Sequence, residues 1–114
     1  METSVPVPRT YSKMNQEAVR LLGQEIKLAR KKLRWSGKEL AERAGMAKAT
    51  LQKIERGDPT CAIGLVFEVA ILVGLKLFDA DMEDLMRRRA RVDSSLALLP
   101  KHTHSPKRVV EDDF

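Results

Sequence analysis

One cysteine, Cys61, in 114 residues excludes an internal disulfide and leaves no second thiolate for a metal site. Cys61 reads instead as a small buried residue near a helix start. Long apolar runs are missing as well: Val69 to Leu75 lies between Glu68 and Lys76 and supplies about a third of the roughly 20 residues a membrane-spanning helix needs. The stretch from Met1 to Met14 contains Pro6 and Pro8 and no apolar core, so it reads as a flexible arm rather than a secretion signal or anchor, and a cytoplasmic location is expected. No nucleophile, base and orienting acid stand at recognisable spacing, and no Gly-rich phosphate loop is present. The two histidines, His102 and His104, have no carboxylate or cysteine cluster near them. An enzyme, a cofactor and a bound metal are therefore not expected.

What the chain does have is positive charge, unevenly spread. Asn15 to Gly57 holds eleven basic and five acidic residues, a net +6, while the whole chain carries +5. Such a segment favours polyanions, meaning nucleic acid or an acidic membrane surface. The length suits one domain, placed here at residues 15–99 between an arm (1–14) and a polar tail (100–114).

Within the basic half, Trp35 to Gly57 reads WSGKELAERAGMAKATLQKIERG. Ser36 followed three residues later by Glu39 is a capping box that starts a helix. Leu40, Ala41 and Ala44 share one face of it, and Gly45 supplies the left-handed conformation for a sharp turn. A second helix follows, with Ala47, Leu51 and Ile54 pointing inward. Ala49, Gln52, Lys53 and Arg56 point outward with Lys48 at the flank, and Gly57, Asp58 and Pro59 end the helix. Lysine and arginine donate to phosphates or to guanine N7 and O6, glutamine makes a paired contact with adenine, and a small Ala49 admits a base edge or thymine methyl. On its own this face equals an ordinary solvated surface; the spacing of Ala41, Gly45, Leu51 and Ile54, which packs two helices steeply across a short turn, is what singles it out.

On these residues the chain resembles the Cro/repressor (XRE) helix-turn-helix family of DNA-binding proteins, over roughly residues 15 to 75. The resemblance implies that Lys48, Ala49 and Gln52 read bases, with Ala47 at the helix entrance. It also implies that Arg30 pairs with Glu55 and joins the first helix to the recognition helix, a structural role for both. Gly37 stands where that family usually has a glutamine that touches a phosphate. Ser36 and Lys38 remain as candidate phosphate contacts at the helix N-terminus, or as a plain cap and a solvated lysine.

Val19, Leu22, Ile26, Ala29 and Leu33 predict an amphipathic helix over Asn15–Arg34 that covers the back of the motif. Its end is basic, with Arg30, Lys31, Lys32 and Arg34 placed either to suit the helix dipole or to reach phosphates. Ile63 to Leu72 is apolar nearly all round, more than one small core can bury, which points to a homodimer reading a palindromic double-stranded DNA operator. Leu75, Leu77 and Phe78 around Lys76 suggest a short strand. Asp81 caps a last helix from Met82 to about Leu96, where Arg87, Arg88, Arg89 and Arg91 are balanced by Asp81, Glu83, Asp84 and Asp93; a solvated or dimer-edge helix is expected there. Beyond Pro100 the composition predicts disorder, and Asp112, Asp113 and Phe114 form a candidate ligand for a partner's basic pocket or a solubilising tail.

The expected fold is thus all-α, a five-helix Cro/repressor-like domain with one short strand and a disordered tail. The run GDPTCAIGLVFEVAILVGLKLFDAD and the acidic, aromatic chain end resemble HipB-type antitoxins, which pair with HipA-type kinase toxins and repress their own operons. The resemblance implies a DNA-binding repressor, an antitoxin or a stand-alone regulator. The other class left open is a protein-interaction module that uses the same helices and tail to hold a partner.

Overall fold

A computed structural model describes residues 9–101. The arm residues 1–8, His102, His104 and the candidate partner residues Asp112, Asp113 and Phe114 lie outside the described residues. Every regular element among the described residues is a helix: α1 (Lys13–Lys32), α2 (Gly37–Ala44), α3 (Lys48–Arg56), α4 (Ile63–Leu72), a single 3-10 turn (Leu77–Asp79) and α5 (Met82–Ala97). They fall into two units divided after Asp79.

In the first unit α1 packs on α3, and α2 on both α3 and α4. Ile26, Leu40, Ala41, Leu51, Ile54, Val69, Ala70 and Val73 form the buried core, with Leu22, Ala29, Trp35 and Val66 among the side chains against it. Helix α1 starts two residues earlier than the sequence suggests because Ser12 caps it, its hydroxyl accepting from the Asn15 amide at 3.1 Å. It also ends two residues earlier. Arg34 takes a left-handed conformation (φ 63°), and the amides of Arg34 and Trp35 donate back to the carbonyls of Lys31 and Arg30, closing the helix as a Schellman motif usually does with glycine. Leu33, expected on the core face, is therefore the C-cap residue and is exposed.

Gly23 fixes how close α1 comes to α3. A Cβ there would sit 2.5 Å from the Ile54 carbonyl oxygen and 2.8 Å from that of Glu55, so only glycine lets the backbones approach this far.

The expected strand is absent among the described residues. Leu75 leads instead into the 3-10 turn, where Phe78 and Asp79 both have positive φ (58° and 53°) and the Asp79 amide donates to the Lys76 carbonyl at 3.1 Å. A left-handed pair cannot continue an extended strand. Phe78 meets Phe67 of α4 edge to face, ring centroids 6.2 Å apart, which supplies an aromatic contact in place of sheet pairing.

The second unit contains α5. Asp81 and Asp84 cap it reciprocally, the Asp84 amide donating to Asp81 at 2.9 Å and the Asp81 amide to Asp84 at 3.2 Å. The bond from the Asp81 amide, first, and then the nearby Arg87 and Arg88 charges hold the Asp84 carboxyl below the usual carboxylate range. Arg87 pairs with Asp84, and Arg89 lies 3.9 Å from Asp93. Leu85, Val92 and Leu96 share a side of α5, but the helix has no fully buried residue.

Candidate nucleic-acid interface

The capping box at Ser36 is complete: the Glu39 amide donates to the Ser36 hydroxyl at 3.0 Å and the Ser36 amide to the Glu39 carboxylate at 2.8 Å. This satisfies two amides at the start of α2 and leaves Ser36 and Lys38 exposed. Gly45 (φ 69°) then turns the chain, the Met46 amide donating to the Ala41 carbonyl at 2.9 Å. Three residues separate α2 from α3. Leu51 and Ile54 are buried, and on the other side of α3 Lys48, Ala49, Gln52, Lys53 and Arg56 are all exposed.

Ala47 is a correction. The helical spacing predicts that it points inward with Leu51 and Ile54, yet it is the N-cap residue of α3 with extended backbone, and its side chain is exposed. The inward face starts one turn later, because a cap residue has left the helical spiral. Cys61, expected to be buried, is half-buried ahead of α4; desolvation pushes its thiol above the ordinary value, so the unreactive protonated form is favoured.

Arg30 joins three segments. Its Nε and Nη2 donate to the two carboxylate oxygens of Glu55 at 2.8 and 2.9 Å, and its Nη1 donates to the Trp35 carbonyl at 2.9 Å. Hydrogen bonding to Glu55, above all, raises the Arg30 pKa against the opposing effect of burial. One guanidinium thus ties α1, the approach to α2 and the second half of α3 into a fixed arrangement. Trp35 adds to this from its other side: the Arg43 guanidinium of α2 lies 4.2 Å above its ring.

Gly23, Trp35 and Arg43 do not stand out in the sequence. A lone glycine inside a helical pattern is the available sign for the first. For Trp35, the sign is an apolar residue just before the cap with Leu40 at the fourth helical position, the spacing of a hydrophobic staple. At the far end of α3, Gly57 (φ 83°) approaches α1, where a Cβ would lie 2.7 Å from Arg20 Cα. The next residue, Asp58, accepts from the Thr60 hydroxyl at 2.6 Å and amide at 2.9 Å. Those two bonds, the hydroxyl's first, hold its carboxyl below the ordinary range.

Two short helices braced at a turn, with a basic and amide-bearing face on the second, define a helix-turn-helix domain, the class in which one helix enters the DNA major groove. Residues 26–77, from the middle of α1 to the start of the 3-10 turn, match the family described as helix-turn-helix (HTH_3). Neither the curated proteins nor the solved structures contain a match to the chain. No helix among the described residues is long and apolar enough to cross a membrane, and none of their acidic, cysteine or histidine side chains form a group able to hold a metal ion.

Proposed function

We propose that the protein is a sequence-specific DNA-binding transcriptional regulator in which α3 enters the major groove of an operator. The observation that carries this is the exposed face of α3, held at a fixed angle by the Arg30–Glu55 pair and offering cations beside one amide. In this reading Gln52, Lys48 and Ala49 meet base edges, with Ala47 where the helix enters. Lys53, Arg56, Ser36 and Lys38 hold the phosphates on either side. The protein acts as a homodimer, so that two copies of α3 meet successive turns of a palindrome. The run from Gly57 to Asp81 supports placing it among autorepressing HipB-type antitoxins, whose second partner is a kinase-like toxin; Asp112, Asp113 and Phe114 are the residues assigned to that partner.

Gln52→Ala tests the reading. It should cost about 1–3 kcal/mol on the operator selected by the protein from a random pool, and little on unselected duplex. Equal weakening on both would take base reading away from Gln52. Complex formation with a protein partner that survives loss of Lys48 and Gln52, combined with absent operator preference, would favour the protein-interaction module instead.

A further inference from the structure

A second cationic surface lies beside the outward face of α3. On α1, Arg20, Gln24, Lys27 and Lys31 recur at steps of three and four, and with Glu55 and Arg56 of α3 they wall an open groove of about 620 Å³. Glu55 is the acid among these residues, and both its oxygens accept from Arg30, so its charge is already matched. Arg20, Lys27, Lys31 and Arg56 are exposed, and none has an ion-pair partner among the described residues. Arg20 also lines an adjoining polar groove that contains Arg9, which prolongs the cationic track toward the N-terminal side.

We propose that this groove is a second binding track for a phosphodiester backbone, taking a strand of the same DNA whose bases α3 reads. The inference rests on that reading and extends it from the helix-turn-helix to α1. Arg56 belongs both to the groove and to the outward face of α3, so the two surfaces are continuous. Gly23 holds the backbones of α1 and α3 at close approach, and the cations of α1 are therefore carried alongside the helix that meets the bases. From Arg20 to Lys31 the helix advances about 16 Å at 1.5 Å per residue. One DNA strand presents a phosphate about every 3.4 Å of axis, so the track is long enough to meet several of them. Four cations with one already matched acid suit a polyanion; the absence of an apolar anchor beyond Leu28 suits a sugar–phosphate strand better than a folded protein partner.

The test is the salt dependence of binding to a labelled random-sequence duplex of about two helical turns, between roughly 50 and 200 mM salt, for the full chain and for Lys27→Gln/Lys31→Gln. The slope of log affinity against log salt should fall by about 0.9 for each phosphate that the variant no longer neutralises, with an unchanged melting midpoint showing that the fold is intact. Should the double variant fold poorly, Lys27→Gln alone should reduce the slope by about half as much. Polyglutamate is the control ligand. An unchanged slope on DNA, or polyglutamate binding that depends on Lys27 and Lys31 while DNA binding does not, overturns the track and leaves the α3 reading standing. A wild-type chain that does not bind the duplex at the lowest salt overturns that reading itself.

Discussion

At the residue scale, the stability of the site turns on a few positions where a small chemical change has a large geometric lever. The Arg30 and Glu55 side chains are only 11% and 10% exposed, so removing the acid strands a guanidinium in a poorly solvated place with the Trp35 carbonyl as its remaining partner. Glu55→Ala should cost on the order of 3 kcal/mol in urea denaturation, and Glu55→Gln, which keeps an acceptor, less. A midpoint that does not move would mean water replaces the carboxylate freely. Gly37 and Gly23 are opposite cases of the same residue type. A Cβ at Gly37 would meet nothing closer than 4.0 Å, so Gly37→Ala should stabilise by up to about 1 kcal/mol through helix propensity alone. At Gly23 the same substitution forces a methyl against backbone oxygens of α3, and Gly23→Ala should destabilise by about 1–3 kcal/mol despite its better propensity. Thermal melts of the two variants should move in opposite directions; a rise for both would mean that α1 yields without disturbing α3.

At the element scale, the helices are legible in the sequence because their signals are local. Ser36 with Glu39, Asp81 with its following turn, and Gly45 and Gly57 each satisfy or release backbone groups within a few residues, and such chemistry can be read without knowing what packs nearby. The buried stripe of α3, Leu51 and Ile54, follows from the 3.6-residue period in the same way. Positions decided by a neighbour cannot be read like this. The end of α1 depends on Arg34 accepting a left-handed conformation that costs an L residue about 1–2 kcal/mol, and the sequence there continues its basic, helix-forming pattern without a glycine. Leu75 to Phe78 alternates like a strand, but the contact of Phe78 with Phe67 and the turn at Lys76 decide otherwise. Ala47 looks like the first of an inward series because a cap residue and a helical residue share the same sequence spacing. The outward residues of α3 are visible as a face, and Lys31 is visible as part of the basic end of α1, whereas Arg20 and Lys27 are not, since their relation to α3 depends on the close approach at Gly23.

At the scale of the whole molecule, the question is how a recognition helix of nine residues obtains enough contact to choose one operator. One helix reaches a half-site only, and a two-fold pair about 34 Å apart doubles the contact and selects for spacing as well as sequence. Helix α4 carries the surface on which such a pair is proposed. Ile63 and Ile71 are 69% and 57% exposed, and Ile63, Phe67 and Ile71 fall on one stripe at steps of four. Gly64 lies on that stripe too, where a Cβ would meet nothing within 4 Å, so a second helix has room to come close. Burial of these side chains in an isologous contact would remove apolar area that a lone copy leaves in water. Ile71→Glu should then convert a micromolar dimer to monomer in sedimentation, because two carboxylates would face each other across the axis. Its fold should survive, since Ile71 makes no part of the buried core. Binding to an isolated half-site should change little, whereas binding to the full palindrome should lose the gain that linkage of two sites provides, on the order of 100-fold or more. A wild-type chain that sediments only as monomer removes the dimer from the mechanism. A dimer that persists in Ile71→Glu moves the interface away from this stripe of α4.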